Sequence, residues 1–111
     1  MWLLIDDTRD LGADVIARNA EAAKKILAWN ILHDDTNSPT FNFDGVMLDH
    51  DLGGAESGYD VALWALEHGY LPPKVEIVTS NPAGRDAFEV LLHRWGYEKV
   101  IVNCKERWEK K

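Results

Sequence analysis

Three apolar runs in this chain each stop abruptly on polar or acidic side chains: "WLLIDD" at residues 2–7, "VMLDHDLGG" at 46–54 and "KVEIVTS" at 74–80. Short runs of this kind suit strands covered on both faces, and such strands belong to parallel sheets. Between them lie segments of helical period. The segment "NAEAAKKILAWNILH", residues 19–33, places Ala23, Ile26, Leu27 and Ile31 on one stripe behind an Asn19 cap. "YDVALWALEHG" ends on Gly69, a good helix stop. "NPAGRDAFEVLLHRWG" opens on Asn81 and Pro82 and sets Phe88, Leu91, Leu92 and Trp95 at i, i+3, i+4 and i+7.

Two further strands complete the alternation, "ADVIAR" at 13–18 and "KVIVN" at 99–103, with "FDGVMLD" holding the central run. Strand, helix, strand at this spacing predicts an α/β fold, a doubly wound five-stranded parallel sheet with helices on both faces. The link from Asp6 to Asp14 is too short for a helical crossover. The first helix is therefore expected to be missing or degenerate. "DDTNSPTFN" at 34–42 reads as a surface loop, and "CKERWEKK" as a short closing helix or a frayed tail.

At 111 residues the chain makes one domain, 1–111, large enough for a core without disulfides. Its one cysteine, Cys104, has no internal partner. No apolar run approaches the ~20 residues of a membrane span, and the N-terminus lacks signal-peptide features, so the cytoplasm is the expected compartment. A net charge of −7 disfavours duplex DNA, whose binding rests on Lys and Arg displacing counterions. The basic bias of residues 99–111 reads as a solvated end.

In open α/β sheets ligands bind at the carboxyl ends of the strands, near the point where strand order reverses. Asp6, Asp7, Asp49, Thr79, Ser80 and Asn81 all fall at such ends. The order of "DD" after the first strand, "LD" after the third and Thr or Ser after the fourth resembles the receiver domain of two-component response regulators. More specifically, "LIDDTR", "LDHDLGG" with "SGYDV", and "TSNPAGR" resemble the cyclic-phosphate processing receiver family, over Asp6 to about Phe88. The resemblance implies a receiver-like, flavodoxin-like sheet with a degenerate first helix. It also implies action on a nucleotide or RNA end that carries a cyclic phosphate.

Asp6, Asp7, Asp49 and Asp51 would crowd like charges, which raises a pKa or recruits a cation, and hard oxygen ligands favour Mg²⁺ or Mn²⁺. Asp49, His50 and Arg9 are the candidates for chemistry. His50 either exchanges a proton near neutrality or packs under a helix on the other side of the strand. Arg9 either forks onto a phosphate or pairs with Asp7 or Asp10. Arg9, Thr79, Ser80, Asn81 and Arg85 are the candidates for holding phosphate, with the N-terminus of the helix at Pro82 behind them. Asn81 serves equally as a plain cap. His33, His68 and His93 lack ligand spacing, and the five tryptophans read mostly as packing, with one near the rim able to stack on a base.

Two readings follow: a Mg²⁺-dependent phosphoesterase, or a signalling receiver with Asp49 as phosphoacceptor. A protein that binds a cyclic nucleotide without cleaving it keeps the same pocket. Signalling receivers carry a lysine followed by proline at the end of the fifth strand. Here Asn103 stands there and Lys105 comes two residues later, without the proline.

Overall fold

The computed structural model describes residues 1–29, 31–32, 40–41 and 43–111. Strand β1 (Trp2–Ile5) is followed by β2 (Val15–Ala17) with no helix between them. Next come α1 (Ala20–Ala28) and the short antiparallel pair β3 (Ile31–Leu32) and β4 (Thr40–Phe41). The order continues with β5 (Gly45–Leu48), α2 (Gly58–His68), β6 (Lys74–Ile77), α3 (Pro82–Arg94), β7 (Tyr97–Val102) and β8 (Lys105–Lys110).

The main sheet has the order β2-β1-β5-β6-β8-β7. Its first four strands are parallel, as the alternating sequence requires. The chain leaves β1 toward β2 on one side and returns to β5 on the other, so strand order reverses at β1 and β5. Asp6, Asp7 and Asp49 leave the sheet there.

Three expectations need correction. The sheet has six strands, not five, because "CKERWEKK" forms β8 rather than a helix or tail. Asn103 and Cys104, with φ of 51° and 65°, make a two-residue left-handed turn that folds β8 back along β7 and into the place beside β6. The sheet is therefore mixed, its last two strands an antiparallel hairpin. The helices do not cover both faces. Leu3 and Ile5, Val46 and Leu48, Val75 and Ile77 form a single buried cluster with Leu27 of α1, Val61 of α2 and Phe88 of α3. Among the described residues all three helices lie on that face, since alternate strand residues point to one side. Trp2, Leu4, Met47 and Glu76 point to the other. Finally, α1 stops at Ala28 with Trp29 as its cap, and Ile31 pairs with Phe41 instead of extending the helical stripe. Residues 33–39 and 42, which include His33 and most of the expected loop, lie outside the described residues.

The local signals for the other helices hold. Asn19 accepts from Ala22 N at 2.8 Å, and Asn81 accepts from Gly84 N at 3.2 Å. Ser57 and Asp60 form a reciprocal capping box, and Gly69 closes α2 in the left-handed region at φ 73°. Phe88, Leu91 and Leu92 are buried as their spacing predicts, with Trp95 partly buried against them. Trp29 departs from the packing expectation, being 82% exposed.

The first residue of α2 is fixed by contact. Gly58 N donates to His50 O at 2.8 Å, and a Cβ on Gly58 would stand 1.7 Å from the Asp49 carbonyl oxygen. A side chain there must push the helix away from the strand end. We expect Gly58→Ala to destabilise the protein by roughly 1–3 kcal/mol, the usual range for overpacking. A urea-unfolding midpoint equal to that of the parent would contradict this contact.

Candidate active site

Asp6 follows β1 and is fully buried, so its charge must be met locally. Its Oδ1 accepts from Thr8 N at 2.9 Å and Arg9 N at 3.0 Å, while Oδ2 accepts from Arg9 Nε at 2.7 Å. Burial pushes the Asp6 carboxyl up, but the two backbone N–H groups and the guanidinium together outweigh it. Its pKa lies below the ordinary value of 3.8.

Asp49 follows β5 and is 8% exposed. It is held by its backbone, with Asp49 N donating to Ile5 O at 3.0 Å. Burial first, and the charge of Asp6 second, raise its pKa above 3.8. Arg9, the Thr79 hydroxyl and His50 N offset only part of that. Asp7 is exposed. One carboxylate oxygen from each of Asp6, Asp7 and Asp49 lies within 4.8 Å of the others. Over them runs the loop after β5, pinned by buried Leu52 and turned at Gly53, whose φ is 70°.

Of the expected metal ligands, Asp51 is not in this cluster. Its exposed carboxylate faces His50 Nδ1 at 3.3 Å. His50 itself packs under α3, edge-on to Phe88 at 5.9 Å and against Gly84, with a quarter of its side chain still exposed. His50 thus sits beneath the helix, as the packing reading has it, and retains an open side.

Arg9 resolves toward neither Asp7 nor Asp10. It pairs with Asp6, donates through one terminal nitrogen to Val78 O at 2.8 Å and lies 3.7 Å from Asp49 Oδ1. Thr79 is buried, its hydroxyl lowers the pKa of Asp49, and it accepts from Asn81 N at 3.2 Å. Ser80 is exposed at the start of α3, and Asn81 caps it. Arg85 points away from the carboxylates, donating to Ile77 O at 2.8 Å.

Arg85 instead joins Arg9 in lining a groove of about 720 Å³ that also meets Met47, Glu76, Lys105 and Glu106. The groove does not include the aspartates. Arg9 belongs to both. Lys105, Glu106 and Glu76 were not among the sequence candidates. The signal for the first two was the Asn103-Cys104 pair, which suits a hairpin turn and brings the residues after it back to the sheet.

A family model described as the cyclic-phosphate processing receiver domain matches residues 1–94. The chain belongs to that family. The match takes in β1 through α3, and with them the "DD", "LD" and "TS" strand ends; the β7–β8 hairpin follows it. No curated protein and no solved structure gives a match. The acidic pocket of this cyclic-phosphate processing receiver domain is receiver-like and compatible with a divalent metal, because Asp6, Asp7 and Asp49 offer hard oxygen donors on converging elements.

The opposite shifts of Asp6 and Asp49 give a stability test in metal-free buffer. Asp6, with its folded pKa lowered, stabilises the fold above the unfolded value of 3.8, and that contribution is lost as pH falls through the lower folded value. Asp49, with its folded pKa raised, favours the fold while protonated and loses that contribution as pH rises through its folded value. At pH 7, Asp6→Ala should cost about 3 kcal/mol, leaving two backbone donors and Arg9 unpaired. Asp49→Asn should be as stable as the parent or more so, with any gain shrinking as pH approaches 4. Equal losses in the two variants, read from chelator-treated thermal melts, would refute the assignment of repulsion to Asp49.

Proposed function

We propose that this protein is a Mg²⁺- or Mn²⁺-dependent phosphoesterase that opens a cyclic phosphate on a nucleotide or RNA end. The convergence of Asp6, Asp7 and Asp49 at the switch point of a cyclic-phosphate processing receiver domain carries the reading.

The three carboxylates would hold the metal. When bound, the ion supplies Lewis-acid polarisation of a phosphoryl oxygen. The other roles fall to side chains. Arg9 is locked by Asp6 and Val78 O, so its orientation is set before any ligand arrives. Its remaining N–H groups suit a phosphate oxygen. Thr79 holds the Asp49 carboxylate in place. Ser80 and the capped start of α3 offer an anion-binding edge beside it.

In the reaction water adds to phosphorus while one ring P–O ester bond breaks. The water gives up a proton and the departing oxygen takes one, leaving a phosphomonoester from a nucleoside 2′,3′-cyclic phosphate. His50 is the residue of this rim whose ordinary pKa lies near neutrality. Asp51 lies beside its Nδ1 at 3.3 Å and can orient the ring.

The test is a panel of nucleoside 2′,3′-cyclic phosphates, 3′,5′-cyclic nucleotides, cyclic dinucleotides and an RNA with a 2′,3′-cyclic end. Each is supplied with Mg²⁺ or Mn²⁺ and its products are followed by chromatography. We expect turnover of at least one, lost on chelation and in Asp49→Ala, and lowered roughly 10²- to 10⁴-fold in His50→Ala. Tight binding without product would convert the assignment to sequestration. A long-lived phosphoryl adduct on Asp49 after treatment with acetyl phosphate would convert it to a signalling receiver.

A further inference from the structure

The groove beside Met47 and Glu76, on the side of the sheet that carries no helix among the described residues, brings Arg9, Arg85 and Lys105 together. Its volume of about 720 Å³ lies well within the roughly 300–1,000 Å³ of sites for whole small molecules. A phosphate ring would fill only a corner. Arg9 and Arg85 enter from different elements and are held alike, donating to the successive carbonyls Val78 O and Ile77 O, each at 2.8 Å. Each guanidinium has five N–H donors, so both keep unused ones.

Lys105, at the start of β8, is the third cation. It makes no ion pair among the described residues. The acidic members of the lining are already countered. Glu76 pairs with Arg107 at 3.2 Å, and Glu106 lies 3.8 Å from Arg85 and 3.9 Å from Lys99. Arg9 and Arg85 each pair with a carboxylate, Asp6 and Glu106, and still present free N–H groups, so Lys105 is the cation of the lining without an ion pair among the described residues. Met47 gives the groove an apolar wall.

We infer that the groove seats a second phosphate of the same ligand, so that the preferred substrate is a nucleoside cyclic phosphate carrying a further phosphate on its 5′ side. This rests on the reading of the acidic pocket as the cyclic-phosphate site and narrows its substrate class. Arg9 joins the two positions, with the carboxylate cluster on one side and Arg85 and Lys105 on the other. The 5′ group is either a terminal phosphomonoester, as in a nucleotide, or the phosphodiester that continues an RNA strand. Both present the same anionic oxygens to guanidinium and ammonium groups.

The experiment measures kcat/KM with Mg²⁺ for three substrates of one base: the nucleoside 2′,3′-cyclic phosphate, its 5′-phosphorylated form, and a dinucleotide ending in the cyclic phosphate. Binding of each to Asp49→Asn is measured in parallel by calorimetry. We expect the parent to favour one or both of the phosphate-bearing substrates by about tenfold or more, as charge-assisted contacts of this kind allow. The ratio should fall toward one in Lys105→Ala and in Arg85→Ala, and recover in Lys105→Arg. Preference for the 5′-phosphorylated nucleotide alone identifies a terminal phosphate, and preference for the dinucleotide alone an RNA strand. Turnover of all three without preference, or a preference untouched by both alanine variants, overturns the inference and leaves the phosphoesterase reading standing. No binding and no turnover of any substrate overturns both.

Discussion

The buried carboxylate of Asp6 is the constraint around which the rest of the site is arranged. A charge with no solvent exposure at the end of β1 is tolerable only with hydrogen bonds on both oxygens, and the chain supplies them from its next three residues. That turn has two consequences. It fixes Arg9, whose guanidinium bridges Asp6 and Val78 O, and it carries the chain to β2 without a helix. The missing helix and the preset arginine are therefore products of one local structure.

Asp49 is the complement of Asp6. Both carboxylates are mostly buried, yet burial decides the outcome only at Asp49, because Asp6 has taken the best donors. Arg9 Nε is 2.7 Å from Asp6, while its terminal nitrogen is 3.7 Å from Asp49, too long for a hydrogen bond. Exposed Asp7 brings a third carboxylate oxygen within 4.8 Å of both. Such a pocket is a poor stability device, and it is compatible with a hard divalent cation, whose charge would offset the repulsion.

The parts of this site legible in the sequence were those set by the nearest neighbours in the chain. Apolar runs ending in Asp6 and Asp49 located the strand exits, and Asn19, Gly69 and Asn81 marked helix ends through side-chain and backbone chemistry local to each turn. His50 was harder, because side-chain alternation puts it under α3 while its partner Asp51 is its own neighbour. The ends of the chain misled for a different reason. In "CKERWEKK" charges occupy both faces of β8, hiding the period of two that buried Trp108 alone betrays. The turn uses Asn-Cys rather than a glycine pair, so its signal is weak. Burial on a second sheet face is likewise invisible to periodicity, which cannot say whether a helix exists to cover it.

The hairpin explains the lysine that came two residues late. In a parallel fifth strand the residue at the rim would be the last of the strand, and here that is Val102 or Asn103. β8 takes the place beside β6 and runs against it, with Val75 opposite Trp108. Its first residues, not its last, therefore meet the carboxyl end of β6, and Lys105 and Glu106 line the groove with Ile77 and Val78. The reversal of chain direction places Lys105 beside the carboxyl end of β6. The same reversal makes residues 105–110 a strand of the sheet rather than a helix across Met47 and Glu76. With no helix between β1 and β2 either, a groove of about 720 Å³ remains beneath Arg9 among the described residues.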